Sequence, residues 1–273
     1  MIMKILLTLV IALTTTGCAT IAKIKGDDSV QVQGRTMAYS RSGSGTPTVV
    51  FESGLGDNKE KWTRVAGEVA KSATVFTYDR PGYGASMNAN GQRSAVEIVS
   101  DLRALLVTSG VKPPYVLVGH SLGGLYMQYF ARQFPDEVAG LVLVESSHWD
   151  QDALMTKGTP GSMASVKALS NLMEPHVRAE LQGSIATEKQ VRDAPALNDI
   201  PVVVLTGTRR NILERGTFAT VWYALQKEEA TAYHAEQIIA DRSGHYVHED
   251  QPELVVGAIN KVIGLRRTTY GQP

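Results

Sequence analysis

The run Gly119-His120-Ser121-Leu122-Gly123 sets a hydroxyl between two glycines in a G-x-S-x-G spacing. The apolar residues Val116, Leu117 and Val118 lead into it, and Leu125, Tyr126, Met127, Tyr129 and Phe130 continue at helical spacing. A buried strand that passes straight into a helix must turn sharply at Ser121. Such a turn strains the backbone, lifts the hydroxyl clear of the sheet edge and leaves it at the positive end of the helix dipole. Gly119 and Gly123 relieve the crowding that the turn creates. A serine hydroxyl is a weak nucleophile until a base takes its proton. The chemistry expected is therefore attack by Ser121 on an acyl carbon, with a histidine as general base.

The chain has six histidines. His120 lies inside the turn and is expected to point away from Ser121 in a structural role. His176 falls in a helical insertion, and His234 within the last strand pattern. His245, in Asp241-Arg242-Ser243-Gly244-His245-Tyr246, sits in a loop between the last strand and the last helix. That loop ends on the carboxyl edge of the sheet, where Ser121 also lies. His245 is the expected base. His248, the next candidate, falls at the start of the helix. The base needs a carboxylate to orient its ring and stabilise the imidazolium. Glu145 directly follows the strand Leu141 to Val144 and is the expected acid, with Glu214, Asp150 and Asp152 as alternatives. The oxyanion needs donors already in place. The backbone N–H of Leu122 is one, and the N–H of Leu55, in the Gly-rich loop Ser53-Gly54-Leu55-Gly56, is the other.

Parallel strands and helices are needed to hold these groups. Short apolar runs without polar alternation, as expected of parallel strands covered on both faces, occur at 48–51, 74–78, 115–118, 141–144 and 202–205. Amphipathic helical patterns cover 61–70, 95–108 and 122–133. This strand-helix alternation predicts an α/β fold with a mostly parallel central sheet flanked by helices. A β-hairpin over 30–32 and 36–39, turning at Gly34-Arg35, is expected ahead of it. About fifty residues separate the strands ending at Val144 and starting near Pro201, too many for a plain connection. Residues 149–198 are therefore expected to form a helical cap, inserted between the two core strands before the last. A helix over 218–229, a strand over 232–240 and a helix over 252–263 complete the chain.

With these motifs in place, residues from about Arg35 to Ile263 resemble the α/β-hydrolase superfamily. The matching segments are Ser53-Gly54-Leu55-Gly56, Asp79-Arg80-Pro81-Gly82-Tyr83-Gly84-Ala85-Ser86, the serine turn and Ser243-Gly244-His245. The resemblance implies the α/β-hydrolase fold, a serine hydrolase mechanism and a structural turn role for Asp79. The chain departs from many members in having Ser53 where they have His. It also has Arg210 where they place the acid, three residues after the Gly of the penultimate strand. Some members place the acid after the preceding strand, where Glu145 falls. A Ser rather than an Asp nucleophile argues against haloalkane dehalogenase or epoxide hydrolase chemistry. Carboxylic ester cleavage is the first expectation, and aminopeptidase or amidase activity with the same residues the second. The latter would need an acidic subsite, for which the cap offers Glu174, Glu180 and Glu188. A slow-turnover ligand-binding or sensor protein, or a purely structural lipoprotein, would have no need of both Ser121 and His245.

Lys4 followed by the apolar run Ile5 to Leu13 reads as a signal peptide over 1–17, too short to span a bilayer. Cys18, preceded by Gly17, resembles the lipidated cysteine of bacterial lipoproteins, although Thr15 stands where Leu is usual. The expectation is an exported protein anchored to a membrane through Cys18, with secretion after nearby cleavage as the alternative. In Gram-negative cells Ala19 would favour the outer membrane. A tether over 18–29 then leads to a hydrolase domain over 30–273. Cys18 is the only cysteine, so there is no disulfide framework and no cysteine metal site. No metal or organic cofactor is expected. The 27 basic and 27 acidic residues balance, which provides no long-range attraction to nucleic acid. The expected partner is a small-molecule ester or amide.

Overall fold

A computed structural model of the protein describes residues 27–269, apart from 88–90, 160, 162–167, 169 and 213. The expected signal segment 1–17, Cys18, residues 19–26 of the expected tether, and residues 160, 162–167 and 169 of the expected cap lie outside the described residues.

Eight strands form one sheet: β1 (Asp27–Val32), β2 (Arg35–Ser42), β3 (Thr48–Glu52), β4 (Thr74–Tyr78), β5 (Tyr115–His120), β6 (Val138–Val144), β7 (Val202–Gly207) and β8 (Glu236–Ala240). Their spatial order is β1-β2-β4-β3-β5-β6-β7-β8. Strands β4 through β8 are parallel to one another and to β3. The β1–β2 hairpin joins the β4 edge antiparallel. The helices are α1 (Thr63–Val69), α2 (Ala95–Thr108), α3 (Leu122–Gln133), α4 (Gln151–Gly158), α5 (Pro175–Asp193), α6 (Thr217–Ala232), α7 (Val247–Asp250) and α8 (Pro252–Thr269).

The near-continuous apolar strands are explained by cover on both faces. Val50, Phe76, Leu117, Leu143 and Val204 point into one core, under α2 and α3. Val49, Val75, Val118, Val144 and Leu205 point into the other, under α1 and α8. Successive strand residues alternate between these cores because the side-chain period of a strand is two.

The hairpin and the last strand differ from the sequence expectation. β1 begins at Asp27, inside the expected tether, and the turn is centred on Gln33-Gly34 rather than Gly34-Arg35. Both turn residues have positive φ (49° and 79°), the pattern of a two-residue turn that matches strand twist. The last strand starts at Glu236, because α6 runs on through Ala232. His234 thus lies in the connecting turn at φ 49°, not in the strand. Helices α4 and α5 fall between β6 and β7, in the segment expected as a cap, with α5 packed on α2 and α3.

Chain order reverses between β3 and β5, since β4 lies on one side of β3 and β5 on the other. Loops leaving the carboxyl ends of β3 and β5 diverge at such a point and leave a crevice. Ser53–Gly56 leaves β3 there, and Ser121 leaves β5.

Candidate active site

Ser121 joins β5 to α3 at φ 52° and ψ −125°, a left-handed conformation costly for a residue with a Cβ. Its N–H donates to the Val144 carbonyl (3.2 Å), and its carbonyl accepts from the N–H groups of Gly124 and Ser147 (both 2.9 Å). The strained turn is thereby fixed on both sides. Leu122 opens α3, so its N–H belongs to the first turn, where a helix supplies no acceptor of its own. Gly123 lets the β3 loop lie against the turn: a Cβ there would come within 2.5 Å of the Ser53 carbonyl oxygen. The Leu55 loop is thus brought over the start of α3.

Glu145 follows β6 directly, also at positive φ (46°), and its side chain is fully buried. Its Oε2 lies 3.2 Å from His245 Nδ1. His245 must return from β8 across the end of β7 to reach this position. Gly207 allows the crossing, because a Cβ there would stand 2.1 Å from the Gly244 carbonyl oxygen. The Gly207 N–H donates to Glu145 Oε1 (2.7 Å). Arg210 reaches the same carboxylate with both terminal nitrogens, Nη1 to Oε2 and Nη2 to Oε1, each at 2.9 Å. Burial pushes the Glu145 carboxyl up, but the hydrogen bonds and charges of His245 and Arg210 outweigh it and hold it below the usual glutamate range.

Of the other acid candidates, Asp150 and Glu214 are engaged elsewhere. Asp150 pairs with Arg192, and Glu214 bonds the Asn211 backbone N–H (3.2 Å). The Asp152 N–H donates to Glu188. His248 is buried between Trp62 and His120, and burial, with His245 and Lys61 nearby, depresses its pKa to about 3. His120 is buried too. Its Nε2 bonds the His245 carbonyl oxygen (2.9 Å), which ties the serine turn to the histidine loop. Burial and the neighbouring His248 and His245 hold its pKa well below the usual value, so it is neutral. Neutral His120 can then donate from Nε2 to that carbonyl. Asp79 accepts from the Ala85 N–H (3.1 Å) within its turn and from the Lys59 N–H (2.9 Å) of the segment that follows β3.

Sequence reasoning missed a buried ionic brace beneath the β3 loop. Arg80 donates to the carbonyls of Ser53 (2.7 Å) and Gly54 (2.8 Å), the residues before Leu55. The same guanidinium bonds Glu52 Oε1 (2.6 Å) and, through Nε and Nη2, both oxygens of Glu180 on α5 (2.9 and 3.0 Å). Glu180 also accepts from Arg93 and Tyr83, both at 2.9 Å. Burial raises the Glu180 carboxyl, but Arg80 and Arg93 outweigh it, and the net shift is downward. A charged residue two positions past the end of a buried strand was the available signal for Arg80. Glu180 is committed to this brace, and Glu188, its carboxyl pushed up to about 7 chiefly by burial, holds a backbone N–H. Neither is free to bind an amine. Trp222 was also missed. Its ring meets His245 edge-on at 5.6 Å.

Residues 47–171 match the family model described as the alpha/beta hydrolase fold. The chain has the α/β-hydrolase fold. A relative, the uncharacterized protein YqjL of Bacillus subtilis, is 29% identical over 225 residues, covering 81% of this chain and 85% of its own. A thermophilic esterase from Thermogutta terrifontis superposes with a TM-score of 0.60 at 20% identity, over 88% of this chain and 98% of that one. Epoxide hydrolase CorEH superposes with a TM-score of 0.58 at 21% identity, over 87% and 98%. Within the α/β-hydrolase fold, the serine turn and the histidine loop share the carboxyl edge of the sheet in this chain.

Proposed function

We propose that the protein is a serine hydrolase that cleaves small-molecule carboxylic esters through an acyl-enzyme. The observation that carries this reading is the 3.2 Å approach of Glu145 Oε2 to His245 Nδ1, beside a serine held in a strained strand-to-helix turn. A carboxylate at Nδ1 keeps the proton on that nitrogen and leaves Nε2 as the acceptor. His245 Nε2 takes the Ser121 proton as Oγ attacks the ester carbonyl carbon. The N–H groups of Leu122 and Leu55 receive the oxyanion. Collapse breaks the bond to the alcohol oxygen, which takes the proton from His245. Water, deprotonated in turn by His245, attacks the acyl carbon, the acid leaves, and Ser121 regains its proton.

The esterase named above supports this reading by its fold. The epoxide hydrolase has the same fold, but Ser121 suits acyl transfer rather than epoxide opening. Aminopeptidase or amidase activity is the second reading. It is weakened because Glu180 and Glu188 are occupied. For localisation we propose export and anchoring through lipidated Cys18. The test of function is hydrolysis of p-nitrophenyl esters of varied acyl length beside aminoacyl amides, with fluorophosphonate labelling. Ser121→Ala should abolish labelling and lower turnover by on the order of 10^4-fold with the fold intact. A variant that keeps a tenth of wild-type ester turnover overturns the assignment.

A further inference from the structure

Arg210 occupies a position that ester cleavage by Ser121, His245 and Glu145 does not by itself require. Its side chain is only 5% exposed, and the Glu145 side chain 0%. The guanidinium also donates to the Gly207 carbonyl (2.9 Å) and lies over the rings of Tyr223 and Trp222, at 5.1 and 5.5 Å from their centroids. Trp222 is the ring that meets His245. One aromatic side chain therefore supports both the cation and the base.

The Glu145 carboxylate accepts four bonds, and their distribution matters. Oε1 takes the Gly207 N–H and Arg210 Nη2, while Oε2 takes Arg210 Nη1 and faces His245 Nδ1. A planar guanidinium bound to both oxygens fixes the plane of the carboxylate. Without it, the Gly207 N–H would hold Oε1 alone, and the group could turn about that bond. The guanidinium also balances the buried negative charge. An unbalanced buried carboxylate at Nδ1 would make His245 hold its proton more tightly and remove it as a base until higher pH.

We propose that Arg210 is a positioning residue for ester cleavage, which aims the Glu145 carboxylate at His245 and balances its buried charge. The proposal rests on the reading of Ser121, His245 and Glu145 given above. The other groups facing His245 are His120, His248, Tyr246, Asp57 and, at longer range, Lys61. None of them touches the carboxylate, so replacing Arg210 leaves their contribution in place.

The test is the pH dependence of kcat/KM for p-nitrophenyl acetate, with full-length wild type, Arg210→Gln and Arg210→Lys in mild detergent. In Arg210→Gln, kcat should fall by on the order of 10^2-fold through misorientation. The acid limb should move up by about one pH unit through loss of the cation. Arg210→Lys keeps the charge without the fork, so its limb should stay near that of wild type while kcat falls about tenfold. Arg210→Gln with an unmoved limb, or Arg210→Lys with unchanged kcat, overturns the proposal. If Arg210→Gln does not fold, the Arg210→Lys result decides. Wild-type labelling that is independent of Ser121 instead overturns the serine reading and the Arg210 role with it. Ser121-dependent labelling with an unmoved limb overturns the Arg210 role alone.

Discussion

Glu145→Gln exchanges one carboxylate oxygen for an amide NH2 at constant length. The carboxylate accepts from Gly207 and Arg210 on Oε1 and from Arg210 on Oε2, where His245 also lies. One amide oxygen cannot serve both sides. With the oxygen toward Gly207 and Arg210 Nη2, the NH2 faces His245 Nδ1 and donates to it. The ring proton then moves to Nε2, the nitrogen that must accept from Ser121. The wrong tautomer is worth on the order of 10^4-fold in turnover, or about 5.5 kcal/mol of barrier. Arg210 loses part of its partner, at a cost on the order of 2 kcal/mol, which a domain of ordinary stability survives. Activity and stability are therefore separable. Steady-state ester hydrolysis should collapse, while circular dichroism at 25 °C and cooperative urea unfolding persist. Asp150→Asn, Glu214→Gln and Asp241→Asn should each cost less than about tenfold. A folded Glu145→Gln protein with more than a tenth of wild-type kcat refutes the reasoning, as does an equal loss in Asp150→Asn.

Glu180→Ala leaves buried Arg80 with Glu52 alone and buried Arg93 with only the more distant Asp101 carboxylate (3.8 Å), so urea unfolding should report a loss of about 3 kcal/mol; a loss under about 1 kcal/mol contradicts the brace. Burial raises the Glu229 carboxyl to about 8, only partly opposed by bonds from Ser146 and Gln128. The folded state favours its protonated form, so the contribution of Glu229 to stability should decline as pH rises from about 4.5 to 8. Relative to wild type, Glu229→Gln should gain up to ~4 kcal/mol above pH 8 and nothing below pH ~4.5, and a difference that does not vary with pH refutes this. Cys18→Ala should release the protein from membranes into the soluble fraction, whereas a wild type already soluble outside the cytoplasm counts against the anchor.

The sequence by itself determined what depends on neighbouring residues. Unbroken apolar runs placed β3 through β7, because a parallel strand covered on both faces admits no polar alternation. The G-x-S-x-G run located the turn at Ser121, because glycine spacing in a strand-to-helix turn answers a local steric demand. Boundaries were weaker where two signals overlapped, as at α6 and β8, where the helix overran the expected strand start. Only the tertiary structure decided which side chains meet. Glu145 and His245 lie 100 residues apart, and their contact depends on β8 lying beside β7 and on a histidine loop that crosses Gly207. Arg210 meets Glu145 across 65 residues, and Arg80 meets Glu180 across 100. No periodicity encodes such pairs, since each exists only once strand order and cap packing have brought distant segments to one edge of the sheet.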